Sequence, residues 1–595
     1  MFAREVAPKT RLVILAMTSI LAGALSLQAQ TPLPNAKPEP ITGSISGRVS
    51  NESGQGIPNV MVYARPSVTF AQRITATDSE GNFKFDGLDS ALYLFGTSAP
   101  GYVMPAPDPE AEPVYYRLNE SVSLNLIKGG VITGAVLSSA GEPVVQAQVR
   151  AVLIRDANGK APKSMGFQVT RTTDDRGVYR LYGLGPGTYL VSAGGRNSFG
   201  SNGAYDEDAP TYAPSSTRDT AAQITVISGE ETSVDIKYRG EPGHAVSGTV
   251  IGMPEGNPSS FGTNISLMQY DNGVPINIAL AYTPPGSKVF AIYGVADGEY
   301  GLSAQSMSAP GSSSVSETRH ITVKGSDISG IELNIKPLGS IAGHVVLAKS
   351  EIAECKNKRQ PLFSEMVVAV RRGEKQKPAE PPQAMSFFFQ PEGVPNQSGD
   401  FQIKNLGSGQ YNFGARFFAR YWYLKSIVQE NSATVPPAKS NAANSQTDLA
   451  KNGVTLKFGE NISRVRVNLA EGAASLHGSF KLETGQTVPP KLLVYLMPAE
   501  KESAEDVLRF FANEIGSDGA FALNNLPPGR YWVLAQVTPN NKTQAEINRQ
   551  LLTDAETRAT LRRAAEAGKV LLEFTPCQNV VDYQLPVPPQ PSQKK

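Results

Sequence analysis

The chain has 595 residues, which is too long for one hydrophobic core, and a usual domain size of about 100 to 200 residues predicts several domains. Its 55 basic and 54 acidic residues nearly cancel, so long-range attraction to nucleic acid or to an anionic membrane is not expected. The 55 glycines, 44 prolines and 40% hydrophobic residues favour short strands joined by many turns.

The N-terminus has the pattern of an export signal. Arg4, Lys9 and Arg11 precede an apolar run over residues 12–27, and small residues follow around Ala29. This order predicts a signal peptide that is cleaved near Ala29. A retained membrane anchor is the alternative, but the run is shorter than the roughly 20 residues that span a bilayer. We therefore expect an exported protein that is periplasmic, on the outer surface or extracellular.

One local pattern recurs five times along the rest of the chain. An aromatic residue is followed five residues later by Leu or Val and ten residues later by Tyr. The paired aromatic positions are Phe83 and Tyr93, Tyr179 and Tyr189, Phe290 and Tyr300, Phe401 and Tyr411, and Phe521 and Tyr531. Because aromatic residues make up only 8% of the chain, this recurrence indicates tandem structural repeats.

Each repeat has the features of a β-hairpin. In four repeats glycine stands two residues before the first aromatic, where it permits the positive φ of a tight turn. These glycines are Gly81, Gly177, Gly399 and Gly519. Alternating segments follow, such as Phe83-Lys84-Phe85, and a period of two is typical of a strand with one buried face. The third repeat has Pro285-Gly286 at the turn and is the most divergent.

The repeats also begin and end alike, which sets the module boundaries. Glycine stands two residues before Val or Phe in each predicted first strand, at Gly47, Gly134, Gly248, Gly343 and Gly478. Alternating runs just upstream are expected to form the last strand of the preceding module, and several short strands per repeat indicate β-sandwiches. The predicted segments are a signal peptide (1–29), a proline-rich linker (30–41), modules 1 to 5 (42–129, 130–240, 241–337, 338–471 and 472–586) and a disordered tail (587–595).

Module 1 resembles the carboxypeptidase regulatory-like domain. The resemblance is carried by Gly47-Arg48-Val49, Gly56-Ile57-Pro58, the turn at 78–81, and the residues Phe83, Leu88 and Tyr93. Module 2 matches equally well, modules 4 and 5 keep the hairpin, and module 3 keeps mainly the aromatic spacing. The resemblance implies an all-β chain of about five Greek-key sandwiches, transthyretin-like or immunoglobulin-like, and it leaves activity open.

Two segments of module 5 have helical rather than strand spacing. Residues 502–515 place apolar side chains at helical intervals, and residues 543–570 are rich in Ala, Arg, Glu and Leu. We predict both as helices inserted into the module. Residues 571–574 and 580–585 would then form its final strand.

No catalytic or metal-binding constellation is present in the sequence. The four histidines are isolated from partners at metal-ligand spacing: His244, His320, His344 and His477. Acidic clusters at 174–175 and 206–208 are candidates for calcium, but a turn explains the first. No nucleophile elbow, phosphate loop or zinc-protease motif is found. We therefore expect a protein that is not an enzyme and has no cofactor.

Two tryptophans are the candidate ligand-binding residues. Trp532 lies between Tyr531 and Val533, which alternate inward, so its side chain is expected to point outward and to be able to stack on a sugar ring. Trp422 would share this parity if the strand that begins at Tyr411 continues. The favoured alternative is that both indoles are buried against insertions.

The two cysteines, Cys355 and Cys577, leave two alternatives open, since they either pair or remain independent thiols. For function, we expect a secreted or cell-envelope binding protein with no catalytic activity and with a carbohydrate-binding or adhesion-like role. Its partner would be a glycan or an envelope protein, and nucleic acid is not expected. The alternatives are a structural spacer in an assembly and an accessory subunit of an envelope hydrolase or transport system.

Overall fold

The structure is a computed structural model, and it confirms the predicted all-β fold. It describes residues 42–67, 71–105, 113–162, 168–195, 203–252, 262–271, 274–308, 312–373, 392–430, 446–480, 487–538 and 542–585. The predicted signal peptide, linker and tail lie outside these ranges. Within them, no helix is long and apolar enough to cross a membrane.

Modules 1 and 2 each have two main sheets that enclose one core, and module 1 also has a separate two-stranded sheet, Tyr102–Val103 paired with Ile127–Lys128. We call the sheet with the module's first strand the first sheet and the facing one the second sheet. Module 1 contains β1 (Thr42–Ser50), β2 (Met61–Pro66), β3 (Arg73–Ala76), β4 (Asn82–Asp89), β5 (Tyr93–Ser98), β6 (Tyr102–Val103), β7 (Ser121–Asn125) and β8 (Ile127–Lys128). Module 2 contains β9 (Gly130–Leu137), β10 (Gln148–Asp156), β11 (Gln168–Thr172), β12 (Val178–Leu184), β13 (Gly187–Ala193), β14 (Thr211–Tyr212), β15 (Ile224–Val226), β16 (Glu231–Ser233) and β17 (Ile236–Lys237).

Their sheet orders repeat one topology. The first sheets run β4-β1-β7 and β12-β9-β16, with β17 also on β9. The second sheets run β3-β2-β5 and β11-β10-β13, the latter extended by β14 and β15. In both modules the first strand pairs antiparallel with the strand of the hairpin aromatic and parallel with the last strand. The upstream alternating runs are therefore the last strands, as predicted.

Module 3 has the same strands but joins its two sheets into one. It contains β18 (His244–Ile251), β19 (Thr263–Asp271), β20 (Val274–Thr283), β21 (Val289–Val295), β22 (Gly298–Ser308), β23 (Ser312–Ser316), β24 (Arg319–Val323) and β25 (Ile328–Pro337). The order is β20-β19-β22-β23-β25-β18-β21, with β24 also on β22. Strand β23 pairs with both β22 and β25, and this link joins the two sheets of module 3.

Modules 4 and 5 return to two separate sheets. Module 4 contains β26 (Gly339–Ala348), β27 (Met366–Arg372), β28 (Glu392–Gly393), β29 (Asp400–Leu406), β30 (Gly409–Phe417), β31 (Trp422–Gln429), β32 (Thr447–Asp448), α1 (Leu449–Asn452), β33 (Val454–Leu456) and β34 (Asn461–Glu471). Module 5 contains β35 (Ala474–Phe480), β36 (Leu492–Pro498), β37 (Phe511–Glu514), β38 (Ala520–Leu526), β39 (Gly529–Val537), α2 (Gln544–Thr553), α3 (Ala555–Gly568), β40 (Leu571–Phe574) and β41 (Asn579–Leu585). The first sheets are β29-β26-β34-β31-β32 and β38-β35-β41. The second sheets are β28-β27-β30-β33 and β37-β36-β39-β40.

Of the two helices predicted in module 5, one is confirmed and one is wrong. Residues 543–570 form α2 and α3, which are separated at Asp554, and Thr543 caps α2 in a capping box with Glu546. Residues 502–515 contain only a 3₁₀ turn at Val507–Arg509, followed by β37. Strand β37 pairs with β36, so hydrogen bonds to a neighbouring strand outweigh the helical spacing. Residues 571–574 and 580–585 belong to two strands in different sheets, not to one.

The repeated glycine of each first strand lies where no side chain fits. A Cβ on Gly134 would lie 1.9 Å from the carbonyl oxygen of Val234, and one on Gly47 would lie 2.2 Å from that of Val122. The counterparts in the other three modules face the last strand in the same way, at 2.0 to 2.4 Å. Glycine is required here because the first and last strands approach too closely for any Cβ.

The repeated tyrosine bonds the turn that precedes its own strand. Its buried hydroxyl donates to the carbonyl oxygen four residues earlier, and the distance is 2.9 Å in all five modules. Burial raises the pKa of these hydroxyls at Tyr93, Tyr189, Tyr300 and Tyr531. The bond fixes the turn between the hairpin and the next strand, much as tyrosine corners do in other sandwiches.

We expect Tyr189→Phe to lower the stability of module 2 by about 1 kcal/mol, because it removes one hydrogen bond and keeps the packing. Tyr189→Ala should cost about 3 to 5 kcal/mol, since it also leaves a cavity. Tyr182→Phe is the control, because that ring is exposed. Thermal unfolding of the three variants measures the difference, and equal losses for Tyr189→Phe and Tyr182→Phe would contradict the role of the hydroxyl.

A bulge lies in each hairpin strand, and in modules 4 and 5 it contacts the preceding module. The pairing register shifts at this point in all five modules, and the bulged residue has positive φ. In module 4 the bulged Asn405 accepts a hydrogen bond from the Ser313 amide of module 3, at 2.9 Å. In module 5 Asn525 donates to the carbonyl oxygens of Ala419 and Trp422, at 2.9 and 2.7 Å. The bulge therefore helps to set the junctions between successive modules.

Modules 1 and 4 pack against each other although they are far apart in sequence. Leu92 and Tyr115 of module 1 form an apolar cluster with Val367 of module 4. Arg117 donates to the carbonyl oxygen of Phe418 at 3.2 Å and lies over that ring, 4.7 Å from its centroid. The outer faces of the two second sheets thus cover one another. The five modules are not arranged as a simple extended string.

Modules 2 and 3 are paired in the same manner. Val152 and Leu190, on the outer face of the second sheet of module 2, pack with Ile276 of module 3. Arg150 is buried between them and donates to the carbonyl oxygen of Ile278 at 2.8 Å. Burial lowers the pKa of Arg150 to about 10. This buried cation with its carbonyl partner fixes the orientation of the pair.

Module 5 covers the equivalent face with its own helices and is tied to module 4. Tyr495 and Met497 on the outer face of β36 pack with Ile547 and Leu551 of α2. Cys355 of module 4 forms a disulfide with Cys577, which lies in the turn between β40 and β41. The sequence left open whether the two cysteines pair or remain independent thiols, and in the structure they pair.

Candidate binding surfaces

The outer faces of the first sheets are the surfaces that the module contacts leave available. The second-sheet faces are occupied by the pairs of modules 1 with 4 and 2 with 3 and by the helices of module 5. Along the hairpin strand of each first sheet, up to its bulge, every other side chain points inward and the rest point out. The side chains that point outward from these strands are therefore the ones that a ligand could contact, and they differ from module to module.

In modules 1, 4 and 5 the outward positions on either side of the central one are polar or small, whereas in modules 2 and 3 they are large and apolar. The exposed residues are Val178 and Tyr182 on β12 and Val289 and Tyr293 on β21. They occupy equivalent places, one residue before and three residues after the repeated aromatic. The parity rule that singled out Trp532 could also have found both tyrosines, since an odd offset from the inward aromatic points outward.

The exposed tyrosine of module 2 lies among charged groups. The ring of Tyr182 is 44% exposed, and the Arg171 guanidinium lies 4.7 Å from its centroid. Arg180, on the same face of β12, pairs with Glu231 of β16. The arrangement presents an aromatic ring beside several hydrogen-bond donors and one carboxylate, which suits a ligand with both apolar and hydroxyl-bearing faces.

Trp422 does not form the exposed platform considered from the sequence. Its side chain is fully buried in the core of module 4. The parity argument is wrong here because the strand that begins near Tyr411 ends at Phe417, and Trp422 begins β31 in the other sheet. A buried indole has no face to offer to a sugar.

Trp532 has the predicted outward parity but is half-buried against the helical insertion. It packs with the cluster that α2 and α3 form on the second sheet, on the opposite side from the inward Tyr531 and Val533. The preferred interpretation, burial against the helix, matches this position. The candidate ligand surface therefore moves from Trp532 to Tyr182.

The histidines and acidic clusters are engaged in local contacts. His344 lies 2.8 Å from Asp400, and that hydrogen bond lowers the pKa of the Asp400 carboxyl. Asp174 accepts the amides of its own turn, as expected, and its pKa is lowered chiefly by the hydrogen bond from the Arg176 side chain and then by the Val178 amide. Asp208 accepts the Tyr238 hydroxyl at 2.8 Å. Across the part of the chain that the structure describes, no group of three or more His, Cys, Asp or Glu is placed to hold a metal ion.

The family comparison agrees with the first module's architecture. Residues 44–108 match the carboxypeptidase regulatory-like domain. That segment runs from β1 past β6 and contains the hairpin glycine, the repeated aromatic and the repeated tyrosine. In sequence comparison, no protein of curated function matches the chain.

Solved structures with similar segments include the TIE protein of a bacterium and two bacterial pilins. The TIE protein of Bacillus anthracis is 15% identical over 50% of this chain and 51% of its own, with a TM-score of 0.14. The pilin BcpA of Bacillus cereus is 10% identical over 49% of this chain and 99% of its own, with a TM-score of 0.13. The minor pilin GBS52 of Streptococcus agalactiae is 12% identical over 33% of this chain and 94% of its own, with a TM-score of 0.17. Scores this low do not establish a common overall structure, and no function follows from them.

Proposed function

We propose that the protein is an exported binding protein of the cell envelope, without catalytic activity, whose paired sandwiches hold a ligand surface on module 2. Two observations support export. The N-terminal residues have the order of a signal peptide. The disulfide between Cys355 and Cys577 is of a kind that persists in oxidising compartments and is rare in the cytosol.

The ligand surface is the outer face around Tyr182, and the observation that carries it is an exposed aromatic ring held beside Arg171 and Arg180. The apolar face of a sugar ring packs on an aromatic side chain while its hydroxyls bond neighbouring polar groups. A glycan is therefore the favoured ligand, a preference that also draws on analogy with carbohydrate-binding sandwich folds. The spacer alternative fits less well, because modules 1 and 4 pack together instead of extending the chain.

Glycan-array binding of the full chain tests the proposal. We expect Tyr182→Ala to weaken binding to the best glycan by about tenfold or more, since central aromatic residues dominate binding energy. Asp86→Ala is the matched control, because Asp86 holds the equivalent outward position in module 1. An array with no bound glycan, or a Tyr182→Ala protein that binds as well as the Asp86→Ala protein, would contradict the proposal. Capture of an envelope protein lost on the same substitution would favour the accessory-subunit alternative.

A further inference from the structure

Strand β21 of module 3 is an edge strand that carries no charge. It ends the strand order of its sheet, and among the described residues no strand pairs with it on the side away from β18. Its first five residues read Val289-Phe290-Ala291-Ile292-Tyr293. Val289 is 66% exposed and Tyr293 is 41% exposed. Exposed edges of this kind invite pairing with another chain, and proteins usually protect them with charged residues.

The equivalent edges of the other modules are protected or small. Strand β4 carries Lys84 and Asp86, which form an ion pair at 2.8 Å. Strand β12 carries Arg180, and β29 carries Asp400 and Lys404. Strand β38 has no charge, but its outward residues Ala520 and Ala522 are small and would bury little apolar surface in a contact with another chain. Of these five edges, only β21 combines neutrality with large exposed apolar side chains.

The hydrogen bonds of β21 show which backbone groups face the open edge. The Val250 amide donates to the Lys288 carbonyl at 2.7 Å, so Lys288 bonds toward β18, and alternation makes Phe290 and Ile292 do the same. Ala291 and Tyr293 therefore direct their amides and carbonyls outward. Val289 does so as well, because among the described residues its carbonyl and amide meet only the Thr283 and Ser287 hydroxyls, at 3.3 and 3.4 Å.

We propose that β21 pairs antiparallel with β21 of a second copy of this chain, giving a dimer with two-fold symmetry. Pairing centred on Ala291 places Val289 opposite Tyr293 of the other copy, and all three residues have backbone groups that face the partner. Aromatic and β-branched side chains form favourable cross-strand pairs. The same contact removes the open edge from both copies at once, as a closed two-fold interface requires.

Repulsion between like charges explains why β21, and not its counterpart β12 in module 2, would pair with a second copy. The same register on β12 would place Arg180 opposite Arg180 of the other copy, and opposed like charges are destabilising. On β21 the central position is Ala291, so no charges meet. The pairing ends after Tyr293, because the following Gly294 lies against the carbonyl oxygens of Asp206 and Asp208 in module 2.

Sedimentation equilibrium of the full chain over a range of concentrations tests this proposal. We expect the wild-type protein to dimerise and Ala291→Lys to weaken the dimer about tenfold or more, because it opposes two lysines at the centre of the contact. Ala522→Lys is the matched control at the same repeat position of module 5, where the side chain is exposed, and it should dimerise like the wild type. Unchanged thermal unfolding of Ala291→Lys would show that the effect is not one of folding.

Hydrogen exchange gives a second readout that needs no substitution. In the wild-type protein the amides of Ala291 and Tyr293 should exchange more slowly at concentrations where the dimer forms than in dilute solution. A wild-type protein that stays monomeric throughout, or a dimer that survives Ala291→Lys unchanged, would overturn the proposal. Slow exchange at these amides in a monomeric sample would indicate cover by another segment and would overturn it as well.

Discussion

Gly134→Ala is expected to destabilise module 2 by about 3 kcal/mol or more, which is at the upper end for overpacking. The added methyl group would lie 1.9 Å from the Val234 carbonyl oxygen, far inside van der Waals contact. That carbonyl is backbone between β16 and β17, which both pair with the first strand, and it also accepts the hydrogen bond of the buried Tyr179 hydroxyl. Moving it aside therefore costs both the strand pairing and this hydrogen bond.

Gly96→Ala is the matched control for this effect. Gly96 also lies in a strand, but a Cβ there meets no atom within 4 Å. Alanine should be neutral or stabilise slightly, because it reduces the freedom of the unfolded chain. Hydrogen exchange of the full chain, followed by mass spectrometry of peptides, reports the opening free energy of each module separately. Protection of module 2 that is unchanged in Gly134→Ala would show that the first and last strands can separate at little cost.

The local repeat could be predicted from the sequence, but the reasons for two of its positions could not. The spacing of aromatic, glycine and tyrosine residues is set by neighbours a few residues away, so it is visible in one hairpin. The clash at Gly134 involves Val234, which is 100 residues distant in the sequence and lies between β16 and β17. The bond from Tyr189 to the Gly185 carbonyl is local, yet nothing in the sequence shows that the hydroxyl is buried beside it.

The packing between modules could not be predicted for a different physical reason. Leu92 and Val367 meet because the outer faces of two second sheets are complementary, and neither residue belongs to the repeat. Outward apolar residues on a strand are equally consistent with a ligand face, a module contact or a helix cover. Trp532 and Tyr182 have the same parity, and only the insertion that covers one of them separates their roles.

Removing the disulfide is expected to cause the largest loss of stability in the C-terminal half of the chain. The bond joins Cys355 to Cys577 across 222 residues, and in the chain-entropy model a loop of that length corresponds to about 5 kcal/mol. The crosslink keeps modules 4 and 5 together when either one opens. Without it, module 5 depends on noncovalent junction contacts such as the two hydrogen bonds from Asn525.

The double variant Cys355→Ser/Cys577→Ser avoids leaving a free thiol and should unfold at a lower temperature in calorimetry of the full chain. The wild-type protein under strong reductant should shift in the same direction, whereas reductant should not change the variant. The loss of stability should be confined to modules 4 and 5, because the disulfide joins these two modules and takes no part in the contact between modules 2 and 3. An equal loss of exchange protection in module 2 would mean that the crosslink stabilises the entire set of modules through the contact between modules 1 and 4.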